Sequence, residues 1–95
     1  MIRGVILVDY TDQGRRTIKD SPDRAEASKE EAARLGLNVR DLFYTPGGPH
    51  DAAIVLEAEG PESINKFMCS VQSLGNVKLK FVRAFSIEEM RNMVQ

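Results

Sequence analysis

The sequence predicts a single α+β domain in which two helices cover one face of a four-stranded antiparallel sheet. Three observations lead there. The chain has 95 residues, enough for one hydrophobic core and not two. Its apolar segments switch between strand-like and helix-like spacing in the order strand, helix, strand, strand, helix, strand. Its sharpest break, Pro46-Gly47-Gly48-Pro49, falls between the second and third strands, where a hairpin belongs.

The first strand is read at Ile2 to Tyr10, where Ile2, Val5, Ile6, Leu7 and Val8 place apolar residues on both parities. A strand of that kind is covered on both faces. Thr11 to Gly14 reads as a turn, and Arg15 to Lys19 as a short turn of helix. Ser21-Pro22 then starts the first long helix, with Ser21 as N-cap and Pro22 in the first helical position. Ala25, Ala32 and Leu35 form its narrow apolar stripe, and Gly36 closes it. Val39 to Thr45 is the second strand and His50 to Ala58 the third, with Gly48 expected at positive φ in the turn between them. Gly60-Pro61-Glu62 opens the second helix, which places Ile64, Phe67, Met68, Val71 and Leu74 on one face. Gly75-Asn76 ends it. Val77 to Phe85 is the fourth strand. Ser86-Ile87-Glu88-Glu89 matches a capping box for a short C-terminal helix, with Met90 and Met93 expected as its packing residues. The order βαββαβ with two crossovers and a central hairpin is the ferredoxin-like pattern.

Composition narrows the function. The chain is 42% hydrophobic and 28% charged with a formal net charge of −1, which is ordinary for a globular domain. No basic stripe of the kind that binds nucleic acid is visible. The lone cysteine, Cys69, excludes an intramolecular disulfide, and one cysteine with one histidine is too few for a structural zinc. Cys69 lies inside an apolar helical run and is expected to be a small buried hydrophobe. The apolar run at the N-terminus is shorter than a membrane span and lacks a cleavage signal, so the cytoplasm is the expected compartment. No metal or cofactor is expected. Gly47-Gly48 lacks the strand–loop–helix setting of a phosphate loop.

Several short motifs, taken together, resemble one family. They are Tyr10-Thr11-Asp12-Gln13-Gly14, Ile18-Lys19-Asp20-Ser21-Pro22 with Arg24, Gly48-Pro49-His50-Asp51, Ser73-Leu74-Gly75-Asn76-Val77 and Arg83-Ala84-Phe85. In order and spacing this set is similar to the GYD-domain proteins, over nearly the whole chain. Gly48 and Asp51 match the glycine and aspartate that name the family, whereas His50 stands in place of its tyrosine. The resemblance implies a ferredoxin-like fold of the dimeric α+β barrel kind and carries no established activity.

Candidate site residues follow from chemistry. His50 is the only histidine and the one side chain suited to proton transfer near neutral pH. His50, Ala52, Ile54 and Leu56 share a parity on the third strand, and the alanines at 52 and 53 leave room beside it. A ligand pocket is therefore one expectation on the His50 face, with Tyr10, Tyr44 and Asp51 as further polar contributors; the alternative is that His50 is a half-solvated histidine at the hairpin end. Asp51 is alternatively expected to bond backbone groups of the Pro46–Pro49 loop. Arg15, Arg16, Lys19 and Arg24 flank the first helix as candidates for an anion site, the alternative being a solvated basic turn beside an N-cap. The expected function is a small-molecule-binding protein or cofactor-free enzyme with a modest apolar pocket beside the sheet. The alternative is a non-catalytic oligomerisation or regulatory module, and the residues leave open whether there is catalysis. The expected partners are a second copy, as a homodimer or higher oligomer through the sheet, and a small molecule.

Overall fold

The computed structural model describes residues 1–95. Its elements are β1 (Ile2–Tyr10), α1 (Asp12–Arg16), a 3-10 turn (Ile18–Asp20), α2 (Ser21–Arg34), β2 (Asn38–Tyr44), β3 (Ala52–Ala58), α3 (Pro61–Gln72), β4 (Val77–Arg83) and α4 (Ile87–Met93). The sheet order is β2-β3-β1-β4, and every neighbouring pair is antiparallel. This is the ferredoxin-like arrangement that the element order predicts.

Alternation along the strands sorts the residues onto two faces. Along β3 burial alternates without a break, with Ala52, Ile54, Leu56 and Ala58 buried. Register places Ile6 beside Ile54 and Phe81, and Val5 beside Val55 and Val82. The first set faces the helices and the second faces away. The core is one cluster in which Ile6, Ile54, Leu56 and Leu79 of the sheet meet Ala32 of α2 and Ile64 and Phe67 of α3. It is thin, since only 14 of 95 residues are buried, and a chain of this size has little surface to bury. The opposite face carries Val5, Leu7, Ala53 and Val55 half-buried, and Phe43 and Val82 at 60% and 50% exposure.

Helix ends behave largely as their residues dictate. Gly36 takes φ +83°. The Leu37 amide donates to the Ala32 carbonyl at 2.8 Å and the Gly36 amide to that of Ala33 at 3.1 Å, which closes α2 on its own last turn. Ser86 and Glu89 form the reciprocal cap of α4. No helix is long and apolar enough to cross a membrane.

Several expectations need correction. Thr11 to Gly14 is not a plain turn: the Thr11 hydroxyl accepts from the Gly14 amide and starts α1. Ser21 makes no capping bond and already has helical φ and ψ, because the 3-10 turn runs straight into α2. The third strand begins at Ala52 rather than His50, and the fourth ends at Arg83 rather than Phe85. Positive φ falls on Gly47, at +86°, and not on Gly48. Cys69 is exposed: at about 100° per residue it lies about 140° around α3 from Ile64, on the solvent side. Leu74 follows the end of α3 and is 67% exposed, and Met90 and Met93 are about half exposed because α4 has no covering layer.

Gly14 and Gly47 test the two kinds of glycine constraint. A Cβ on Gly14 would lie 2.0 Å from the Asn76 carbonyl oxygen, whereas one on Gly47 would meet nothing within 4 Å. We expect Gly14→Ala to cost about 1–3 kcal/mol or more by overpacking and Gly47→Ala about 1–2 kcal/mol through φ alone. Urea unfolding checks both, and an unchanged midpoint for Gly14→Ala would contradict the corner geometry.

Candidate functional site

The helices do not close over the whole sheet. At the end where β1 leads into α1, α2 and α3 leave between them a cavity of about 400 Å³. Its floor includes Val8, Ala52, Ile54 and Leu79, and Ala25, Ser28, Phe67 and Val71 reach it from the helices. Small residues make the space: Ala52 from the sheet and Ala25 with Ser28 from α2. The room expected beside the third strand is therefore present, on the face that bears Ala52.

The polar feature of this cavity is a row of three hydroxyls. Tyr10 and Ser21 share a hydrogen bond of 2.8 Å, and Ser21 and Tyr44 one of 3.1 Å. Ser21 is 7% exposed. Its hydroxyl thus joins the C-terminal ends of β1 and β2 across the first residue of α2. Nothing in the sequence signals this role, because Ser before Pro at a helix start carries the same signal as an N-cap.

Two charged side chains also line the cavity, Arg24 and Glu31. Arg24 donates to the carbonyls of Thr17 and Gly14 and to the Thr17 hydroxyl at 3.0, 3.3 and 3.1 Å. Glu31 accepts from Arg34 and from Ser70, each at 2.6 Å, and so ties α2 to α3. Arg15 lies 3.9 Å from Asp51, and Arg16 and Lys19 are exposed on the outer side of the corner. The four basic candidates do not converge on one point.

His50 and Asp51 sit outside the cavity lining. His50 precedes β3, so strand alternation does not govern it. Its Nδ1 lies 3.0 Å from the Asp9 carboxylate, and Asp9 belongs to the face turned away from the helices. Asp51 accepts from the Tyr10 amide at 2.8 Å rather than from the Pro46–Pro49 loop. The reason is local: the β1–β3 ladder ends at Val8 and Ala52, and the carboxylate takes the amide that the ladder leaves unpaired. No group of three or more His, Cys, Asp or Glu side chains gathers to hold a metal ion.

Two of the motifs, 10–14 and 73–77, meet at the same corner. Thr11 donates to the Gly75 carbonyl at 2.6 Å, and its amide to that of Asn76 at 3.1 Å. Gln13 donates to the Leu74 carbonyl at 3.1 Å and to the Asn76 side chain at 2.9 Å. The segments 10–14 and 73–77 are thus one structural unit, the end wall of the cavity.

Hydrogen bonds from Arg34 first and Ser70 second hold the Glu31 carboxyl at about 2, below its ordinary 4.5. A depressed carboxyl stabilises the fold fully above 4.5 and loses that contribution as pH falls toward 2. We expect Glu31→Gln to flatten the fall of melting temperature between pH 4.5 and 2. An unaltered slope would remove this link between the helices as an acid-sensitive contact.

Comparison with known proteins agrees with the geometry. The "Glutamine synthetase and cystathionine beta-lyase binding protein" of Thermus thermophilus is 29% identical over 87 residues, which is 90% of each chain. The GYD domain matches residues 5–94. With nearly the whole chain matched, including every segment that builds the corner, this chain belongs to the GYD domain family.

Proposed function

We propose that the chain is a homodimeric binding module that holds a small apolar molecule between its sheet and its two long helices. The observation that carries this reading is the cavity of about 400 Å³ with its row of three hydroxyls. Its size falls in the range of small-molecule sites, about 300–1,000 Å³, and an apolar wall with a few convergent polar groups is how such sites are built. Tyr10 and Tyr44 are the contacts proposed for the ligand. His50 and Asp51 remain candidates only for a second contact region on the far side of the sheet. No general base faces the cavity with a reacting partner, so binding is the function proposed and catalysis is not.

The second copy is argued from the uncovered face. Phe43, Val55, Leu7 and Val82 form an apolar surface there, of a kind that monomers seldom leave in water. Ile87 and Met90 of α4 and Val94 just after it are all more than half exposed. The radius of gyration is 14.0 Å, against about 12 Å for a compact chain of this length. A stable interface of this kind buries about 800 Å² per subunit.

The relative's name favours a second reading, a protein-binding regulatory module. Under it, glutamine synthetase and cystathionine beta-lyase are partners to test, by calorimetric titration of either purified enzyme with this chain.

Native mass spectrometry tests the first reading directly. It is expected to show twice the chain mass, with a retained small molecule or with one that binds from a metabolite library and raises the melting temperature. A monodisperse monomer at low micromolar concentration would sink the dimer. Val55→Lys, on the uncovered face, is expected to give a folded monomer, because it places an unpaired charge in the interface while leaving the core intact.

A further inference from the structure

We infer that the cavity takes a neutral, largely apolar molecule carrying one hydroxyl or carbonyl oxygen, and that the Tyr10–Ser21–Tyr44 row reads that oxygen. This rests on the ligand-binding reading above and specifies its ligand class.

Charge is the first argument. Arg24 and Glu31 are the charged residues in the cavity wall, and both are already satisfied. The Arg24 guanidinium is spent on Thr17 and Gly14, and the Glu31 carboxylate on Arg34 and Ser70. A cationic ligand would leave water and find no free carboxylate, since Glu31 is paired with Arg34, and an anionic one would have to draw Arg24 off its bonds to Thr17 and Gly14; both are unfavourable. No fully buried side-chain nitrogen or oxygen lacks a hydrogen bond.

Proton accounting in the row is the second argument. Three hydroxyls carry three protons, and the two bonds among them use two. Run in one direction, the row has one proton left at one end and lone pairs at the other; if both phenols donate to Ser21, the remaining proton is that of Ser21. If the row runs from Tyr10 through Ser21, Tyr44 donates; if it runs the other way, Tyr10 does. Rotation of the three hydroxyls exchanges the two states without moving a heavy atom, and each bond strengthens the next. Such a row serves a carbonyl by donating, and a hydroxyl by donating or accepting. It gives an ammonium or a carboxylate no compensating charge.

Three bicyclic probes separate the terms: 2-naphthol, naphthalene and 2-naphthoate, titrated into the full chain and followed by probe fluorescence. The chain has no Trp and two Tyr, so the protein background is low. We expect saturable binding with 2-naphthol about 3- to 10-fold tighter than naphthalene, the value of one hydrogen bond. We expect 2-naphthoate to bind at least about tenfold more weakly than 2-naphthol. Tyr10→Phe and Tyr44→Phe, combined in one chain, should remove the naphthol advantage. Tyr44 is 43% exposed, so its loss does not threaten the core. Equal binding of naphthalene and 2-naphthol, or a naphthol advantage that survives both substitutions, overturns the inference and leaves the cavity reading intact. Tighter binding of 2-naphthoate overturns it as well. If none of the three probes binds, the cavity reading falls and the inference falls with it.

Discussion

The close approach of Gly14 to the Asn76 carbonyl is the constraint on which the cavity end depends. With no side chain at position 14, α1 lies flat against the turn between α3 and β4. Thr11 then reaches Gly75 and Asn76, and Gln13 reaches Leu74. Once that corner is fixed, the 3-10 turn must run directly into α2. Ser21 is carried inward and its hydroxyl arrives between Tyr10 and Tyr44. Asp51 completes the frame by taking the Tyr10 amide where the ladder stops. A larger residue at 14 would push α1 outward and pull the hydroxyl row apart, so a backbone contact decides the chemistry of a site it does not touch.

The sheet divides its work by parity. Even positions of β1 and β3 face the helices, where Val8, Ala52 and Ile54 form part of the cavity floor. Odd positions face away, where Val5, Leu7 and Val55 remain half-buried beneath nothing. Because side chains alternate with period two, the cavity and the uncovered face share these strands without sharing a residue. A molecule in the cavity and a protein on the far face therefore do not compete for space. The thin core gives the far face a reason to be covered, since association removes apolar surface that one chain cannot bury alone.

Most of the fold was legible in the sequence because each element declares itself twice, by periodicity and by its punctuation. The Gly36 helix end, the Ser86–Glu89 cap and the Pro46–Pro49 hairpin are local signals with local causes. Cys69 was misplaced by its apolar neighbours in sequence, although helical angle puts it about 140° from Ile64, on the exposed side. Ser21 was not legible. A serine before proline at a helix start satisfies the capping pattern, and only the tertiary approach of β1 and β2 shows that its hydroxyl is engaged elsewhere. His50 failed for a related reason: parity reaches only as far as the strand, and the strand begins two residues later.

The two tyrosines were legible as candidates, and the reason they belong together is the sheet order. Tyr10 ends β1 and Tyr44 ends β2, two strands that run parallel with β3 between them. Both therefore finish at the same edge of the sheet, on the face toward the helices. Their rings flank Ala52, the first residue of β3, which is too small to fill the gap between them. Ser21 bridges that gap from above. A larger residue at 52 would close the cavity from below, and a phenylalanine at either tyrosine would keep its walls but break the row. The cavity and the hydroxyl row are thus separable features of one arrangement: the alanine sets the space, and the three hydroxyls set what chemistry the space presents.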